Sequence, residues 1–216
     1  MRAPISPARR HREGAPEPAV VDALVGALID DPFYQSITID FAADLAQRKV
    51  ALGRYLAYSM DEAARLGVCL VAPGPAAGAA IWSMPASAAA QRTESAAKSR
   101  YLATILGPHG YRNYHRIVEF MAPIAERLVP PEAWYLSIVG VAPSAQGRGA
   151  GADLLAPTLA QARDNRVDCF LETFTPRNLP FYERLGFRTL AAPHEPTTGS
   201  AYVLMLRGAG SAGGPV

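Results

Sequence analysis

The stretch VGVAPSAQGRGAG, residues 139–151, constrains the fold of this chain more than any other. A β-branched run breaks at Pro143. Gly147, Gly149 and Gly151 then alternate with Arg148 and Ala150, and an apolar segment of helical spacing follows. The pattern predicts a strand over 134–141, a glycine turn, a helix over about 148–164 and a second strand over 168–174. Strand, helix and strand in that order imply a parallel pair in the sheet, because a crossover of this length returns the chain to the end it left.

Around that unit the order is helices first. Val20, Leu24 and Leu28 recur every four residues behind Pro18 and predict a helix that stops before Asp31-Pro32. A second helix is expected to start at Asp40 as its N-cap, to carry Phe41, Leu45, Leu52 and Leu56 on or near one face, and to end by Gly67. VCLVAPG and AAIWSMP read as two strands of a hairpin joined by the Pro-Gly-Pro turn at 73–75. Residues 86–129 are mostly helical in pattern, with Ile117, Met121, Ile124 and Leu128 three and four apart, until Pro130-Pro131. Downstream of the parallel pair, a short helix over 179–185 and strands near 187–191 and 201–206 complete the chain. One domain is expected over 19–207, between a flexible Arg- and Pro-rich segment over 1–18 and a flexible Gly- and Ala-rich tail over 208–216.

Composition narrows the function classes. An apolar content of 50% over 216 residues suffices for one sizeable core. The formal charge of +2 leans on Arg2, Arg9, Arg10 and Arg12, so the rest of the chain is near neutral and lacks the basic face that nucleic acid requires. Cys69 and Cys169 are far apart, without the paired spacing of a zinc site or a disulfide framework, and read as reduced core thiols. Neither an apolar h-region after the opening arginines nor a run of the roughly 18 apolar residues of a membrane span is present. A cytoplasmic protein with no membrane and no nucleic-acid partner is expected.

Alternating glycines let successive backbone N–H groups point inward, and the positive end of the following helix adds to the same spot, so phosphate is the natural guest. A glycine-rich connection with no ligand is the plain alternative. Gly147-x-Gly149-x-x-Ala152 also fits a dinucleotide fingerprint, with Glu172 placed as the ribose-binding acid. In that fold, however, the first glycine follows its strand at once, whereas Ala142 to Gln146 intervene here, and too little chain remains for the further strand–helix units. A nucleoside triphosphatase loop is ruled out because no Gly-Lys-Ser/Thr follows.

The frame VxPxxQGRGAG, with Gln146, Gly149 and Gly151 in a QxxGxG spacing, resembles the acetyl-CoA-binding signature of the GNAT superfamily of N-acetyltransferases. FLETFTPRNLPFYERLGF, residues 170–187, resembles that superfamily's second block, in which an Asn precedes a Tyr by four and Gly-Phe closes a short helix. Within it, residues 133–188 are most similar to the puromycin N-acetyltransferase branch, including AWYLSIVGV and Pro157 in the helix after the turn. The resemblance implies an α/β (α+β) fold: a mixed, mostly antiparallel sheet, flanked by helices, with a central parallel strand pair splayed to admit acyl-CoA. It also implies an opening β-strand, for which the arginine- and proline-rich residues 1–16 make poor text. Acetyl-CoA would be the co-substrate, with no metal. The partner would be a small-molecule amine, met by a monomer or homodimer. The acceptor would be walled by about residues 30–40 and by the region 86–130. A non-catalytic acyl-CoA-binding sensor is the competing class, against which Tyr182 stands.

By the same resemblance, backbone N–H groups of Gln146, Gly147, Arg148, Gly149, Ala150 and Gly151 hold the pyrophosphate, with the Arg148 side chain either adding charge or pointing to solvent. Val139, Gly140 and Val141 pair with the pantetheine arm, and an N–H near Val139 or Val141 polarises the thioester oxygen. Gly140 marks a bulge or a close approach, or simply packs. Asn178 contacts the cofactor or only caps the short helix. Tyr182 is implied as the general acid that protonates the coenzyme A thiolate. Glu172, mid-strand in an apolar run, needs a partner. It orients the amine or takes its proton, directly or through water, unless an ion pair with an arginine such as Arg177 accounts for it. His109, His115 and Cys169 are not assigned a chemical role.

Overall fold

Prolines and aspartates set the helix starts. The structure, a computed structural model, describes residues 8–72, 74 and 77–210; residues 1–7 of the opening segment, Pro73, Pro75 and Ala76 of the hairpin turn and 211–216 of the tail lie outside them. Arg9–Arg10 form β1, followed by α1 (Pro18–Leu28), which has proline in its first turn as the fixed φ of that residue favours. Asp31 caps α2 (Pro32–Ile37) by accepting from the Phe33 N–H. The long α3 (Leu45–Leu66) is capped by Asp44, which accepts from the N–H groups of Ala46 and Gln47.

Asp40, expected to cap that long helix, does something else. Its carboxylate accepts from the backbone N–H groups of His109 and Gly110, at the start of a helix distant in sequence. The helix expected to start at Asp40 therefore starts later, as α3, behind a separate 3-10 turn at Ile39–Phe41, and α2, which the sequence reading did not include, precedes that turn.

The hairpin follows as β2 (Gly67–Ala72) and β3 (Gly78–Ser83), and the helical region as α4 (Ala88–Ile105) and α5 (Gly107–Leu128). Then come β4 (Trp134–Val141), α6 (Ala150–Asp164), β5 (Cys169–Thr173), α7 (Leu179–Arg184), β6 (Arg188–Ala191), a small hairpin of β7 (His194–Glu195) and β8 (Ser200–Ala201), and β9 (Val203–Arg207). The main sheet has the order β1-β2-β3-β4-β5-β9-β6 and is antiparallel except at the central β4–β5 pair. In the opening segment, read as flexible from sequence, Arg9 and Arg10 lie opposite Val71 and Leu70 and form the edge of the sheet.

The two faces of the sheet carry two cores. Ile81 packs with Leu24, Leu52, Leu56 and Ile117 on one side, while its neighbour Trp82 packs with Leu154, Leu155 and Phe187 on the other, as the period of two along a strand requires. All these side chains are buried.

The parallel pair is short. Trp134, Tyr135 and Leu136 align with Cys169, Phe170 and Leu171, and there the pairing stops, although β4 continues to Val141 and β5 to Thr173. A bulge coincides with the break: Ile81 opposes Ile138 but Trp82 opposes Leu136, which leaves Ser137 as the extra residue of β4, its hydroxyl donating to the Ile81 carbonyl at 3.1 Å. A bulge bends its strand and strengthens local twist, so β4 turns away from β5 where the sheet opens. Gly140, read from sequence as a bulge, a close approach or a packing glycine, is a close approach. A Cβ there would lie 3.0 Å from Leu24 Cδ2 and 3.1 Å from Ala27 Cβ, so its bare backbone lets α1 settle on β4.

Candidate active site

Residues 137–141 of β4 keep β3 on one edge and have no strand on the other. That free edge opens on a groove of about 1050 Å³, lined by Val139, Gly140 and Val141, by the glycine turn, and by Asn178 and Tyr182 across the gap. Gly147 and Gly149 adopt φ of +71° and +87°, a left-handed conformation that side-chain-bearing residues enter at a cost of roughly 1–2 kcal/mol. The first i to i−4 bond of α6 runs from the Asp153 N–H to the Gly149 carbonyl at 3.0 Å. Hence the amides of Gly149, Ala150, Gly151 and Ala152 are those the helix cannot satisfy, and they sit at its positive end. Gly151 serves the opposite wall as well, since a Cβ there would meet the Phe181 ring at 3.3 Å.

Gln146, Arg148 and Asn178 each take a distinct place around the groove. The backbone N–H of Gln146 donates to the Pro143 carbonyl at 3.3 Å and its side-chain amide to the Val141 carbonyl at 3.4 Å, so it braces the turn that carries the glycines. Arg148 is exposed and its side chain is not part of the groove wall. Asn178 stands at the N-cap of α7 but makes no capping bond, which leaves its amide to the two cavities it borders.

Beyond the splay lies a second cavity of about 380 Å³, between the sheet and helices α2 to α5. Leu28, Asp31, Val139, Asn178 and Tyr182 border both spaces and mark their junction. Tyr182 is 8% exposed; burial, with the charge of Asp31 nearby, holds its hydroxyl above the usual tyrosine range and therefore protonated. Glu172 lines the second cavity and is not paired with Arg177. The Tyr202 hydroxyl donates to its Oε1, and Tyr135 is its other partner. Burial raises its pKa above the ordinary carboxylate value, against the lowering effect of those two hydroxyls.

Of the residues that sequence reasoning placed at one site, Tyr182 shares the groove with the glycine turn, whereas Glu172 lines the second cavity, which Tyr182 also borders. Sequence reasoning missed Asp31, read only as a helix stop before proline. Asp31 Oδ1 takes the Phe33 N–H at 2.9 Å and Oδ2 takes the Thr175 hydroxyl at 2.6 Å, tying the end of α1 to the loop after β5. Desolvation raises its pKa, opposed chiefly by the Thr175 bond. It also missed the Lys98–Glu62 ion pair of the second cavity, whose partners are on different helices, 2.6 Å apart. His109 is bound to Asp40 at 2.7 Å, and burial pushes the thiols of Cys69 and Cys169 up to about 12, so neither cysteine is a thiolate at neutral pH. No group of metal-ligating side chains occurs among the described residues.

Comparison with known proteins agrees with this geometry. Residues 86–187 match the acetyltransferase (GNAT) family. Over the whole chain the fold is similar to that of a crystal structure from Corynebacterium glutamicum described as a histone acetyltransferase and related acetyltransferase, with 23% identity, a TM-score of 0.63, and 94% of this chain and 97% of that one covered. It is also similar to arylalkylamine N-acetyltransferase 2 from Aedes aegypti (11% identity, TM-score 0.57, coverage 94% and 99%). A third likeness is to a polyamine N-acetyltransferase from Drosophila melanogaster (13% identity, TM-score 0.54, coverage 91% and 98%). At these identities the likeness is one of fold.

Proposed function

We propose that this chain, which matches the GNAT acetyltransferase family over residues 86–187, is an acetyl-CoA-dependent acyltransferase that transfers the acetyl group to the primary amine of a small molecule by direct attack in a ternary complex. The observation that carries this reading is the meeting of two cavities at the splay, with Tyr182 on the wall common to both. One space fits a long anionic cofactor and the other a compact acceptor.

In this reading the amides of the glycine turn and of the first turn of α6 hold the pyrophosphate, and the free edge of β4 takes the peptide-like groups of the pantetheine arm. An amide of that edge polarises the thioester oxygen. Glu172, its charge opposed by burial, accepts the proton of the attacking ammonium group, directly or through water. A C–N bond forms, the C–S bond breaks, the departing thiolate takes the Tyr182 proton, and the second proton, lost by the acylated nitrogen, restores the Tyr182 hydroxyl. A free tyrosine near pKa 10 is a weaker acid than an ordinary thiol near 8.5. Burial and the nearby charge of Asp31 raise the Tyr182 hydroxyl further, so the transfer is uphill by more than that difference wherever the thiolate is less strongly disfavoured. Asn178 orients the cofactor at the junction.

The likeness of residues 133–188 to puromycin N-acetyltransferases makes the amine of an aminoacyl-nucleoside antibiotic one acceptor to test, and the reaction would then inactivate the antibiotic. No described helix is long and apolar enough to cross a membrane, and the two buried thiols fit the cytoplasmic setting assigned here. Thiol release from acetyl-CoA across a broad amine panel tests the proposal. Amine-dependent release supports it, while saturable cofactor binding with no release for any amine would instead mark a sensor.

A further inference from the structure

The second cavity has walls of a particular kind. Two stacked ring pairs face it, Phe33 on Phe174 with centroids 5.9 Å apart and Tyr135 on Phe170 at 4.6 Å. Tyr114 of α5 meets Phe33 edge-on at 6.5 Å. Its volume of about 380 Å³ lies near the lower end of ordinary ligand pockets, so it suits an acceptor of one ring system and a short chain.

Its charges are arranged unequally. Lys98 is the only cation on the described wall, and Glu62 already holds it at 2.6 Å with both side chains mostly shielded. Glu172 has two neutral hydroxyls as partners, those of Tyr202 and Tyr135, and no cation. One carboxylate facing the cavity thus lacks a counter-charge, beside the junction residue Asp31, whose two oxygens are taken by Phe33 and Thr175. A monocation satisfies Glu172. A polyamine brings further ammonium groups that find Glu62 occupied and aromatic faces elsewhere, at the cost of desolvating each charge.

Resting on the acyltransferase reading above, we infer that the acceptor is an arylalkylamine: a singly charged primary amine joined by a short chain to an aromatic ring that packs among Phe33, Tyr114, Tyr135 and Phe170. Ring–ring contacts at these faces add to the burial of the acceptor's own apolar surface. Of the aminoacyl-nucleosides, only those with an aromatic amino-acid side chain meet this requirement.

The test is steady-state thiol release at saturating acetyl-CoA with phenethylamine, tyramine and tryptamine, against hexylamine, agmatine, spermidine and a tripeptide with a free N-terminus. We expect kcat/KM for the aryl amines to exceed that for hexylamine by about tenfold or more, and the multiply charged amines and the peptide to fall lower still. Tyr114→Ala should shrink the gap mainly through a higher KM for aryl amines, and Phe170→Leu repeats the measurement if the first variant is poorly folded. Spermidine, agmatine or peptide turnover equal to or above the aryl set overturns the inference and leaves the acyltransferase reading intact. A gap that persists unchanged in both variants overturns the assignment of the wall. Cofactor binding without release for any amine removes both proposals together.

Discussion

Tyr182 and Glu172 are separated by chemistry that each side chain's surroundings impose. Tyr182 is buried at the junction and keeps its proton, so Tyr182→Phe removes the donor while preserving the ring that packs against Phe181 and Phe187. The expected result is a loss of about 10²-fold in kcat with little change in KM for acetyl-CoA, read by thiol release over a range of pH. A rate within a few-fold of wild type at every pH would leave Tyr182 as an ordinary buried tyrosine. Glu172 must be a carboxylate to accept a proton, so kcat/KM should rise with pH through a pKa above the usual 4.5, and Glu172→Gln should abolish that limb. Stability moves the other way. The folded state holds this proton more tightly than the unfolded chain, so the contribution is present below about pH 4.5 and is lost as pH rises through the raised folded value. Glu172→Gln mimics the protonated form, and its Tm relative to wild type should climb as pH rises from about 4.5 through the raised folded value of Glu172. Neither role could be read from spacing alone: the sequence showed that Glu172 lies mid-strand and needs a partner, but not that the hydroxyls of Tyr135 and Tyr202 would meet it there.

At the scale of elements, two glycine positions do different work. Gly149 carries a left-handed φ at the start of α6, where the amides diverge into the groove. Gly149→Ala should cost about 1–2 kcal/mol and weaken acetyl-CoA binding, measurable as a higher Kd by calorimetry together with a lower Tm. Gly140 carries no such φ and acts through space. Gly140→Val would force Leu24 and Ala27 back from β4, with an expected loss of about 1–3 kcal/mol in a denaturant melt through overpacking. An unaltered melt for Gly140→Val would show that α1 is not seated by that contact. The glycine turn and its helix were legible from the sequence because left-handed glycines and helix starts are local requirements. The splay was legible only through resemblance, since it depends on a bulge at Ser137 that appears only when β3 is laid beside β4. The misplaced helix start has a similar cause: Asp40 has the chemistry of an N-cap, and it caps α5 across the fold while Asp44 caps its own helix.

For the whole molecule, the cofactor should act as a clamp across β4, α6 and α7. Acetyl-CoA at about 100 times its Kd should add about 2.7 kcal/mol to stability and raise Tm accordingly, and Gly149→Ala should show a smaller shift at the same ligand concentration. A wild-type Tm indifferent to acetyl-CoA would deny the groove its ligand. The sequence by itself determined the parallel pair, the glycine turn and the helices and strands around them, because these follow from periodicity, backbone conformation and spacing within some fifty residues, while β1, α2 and the β7–β8 hairpin carry no such local signal. Tertiary structure alone decided the second cavity. Its walls come from α2, α3, α4, α5, β4 and β5, and Lys98 meets Glu62 across 36 positions of chain while Thr175 meets Asp31 across 144. Contacts of that separation depend on how helices cross the sheet, and no local pattern of side chains encodes the crossing.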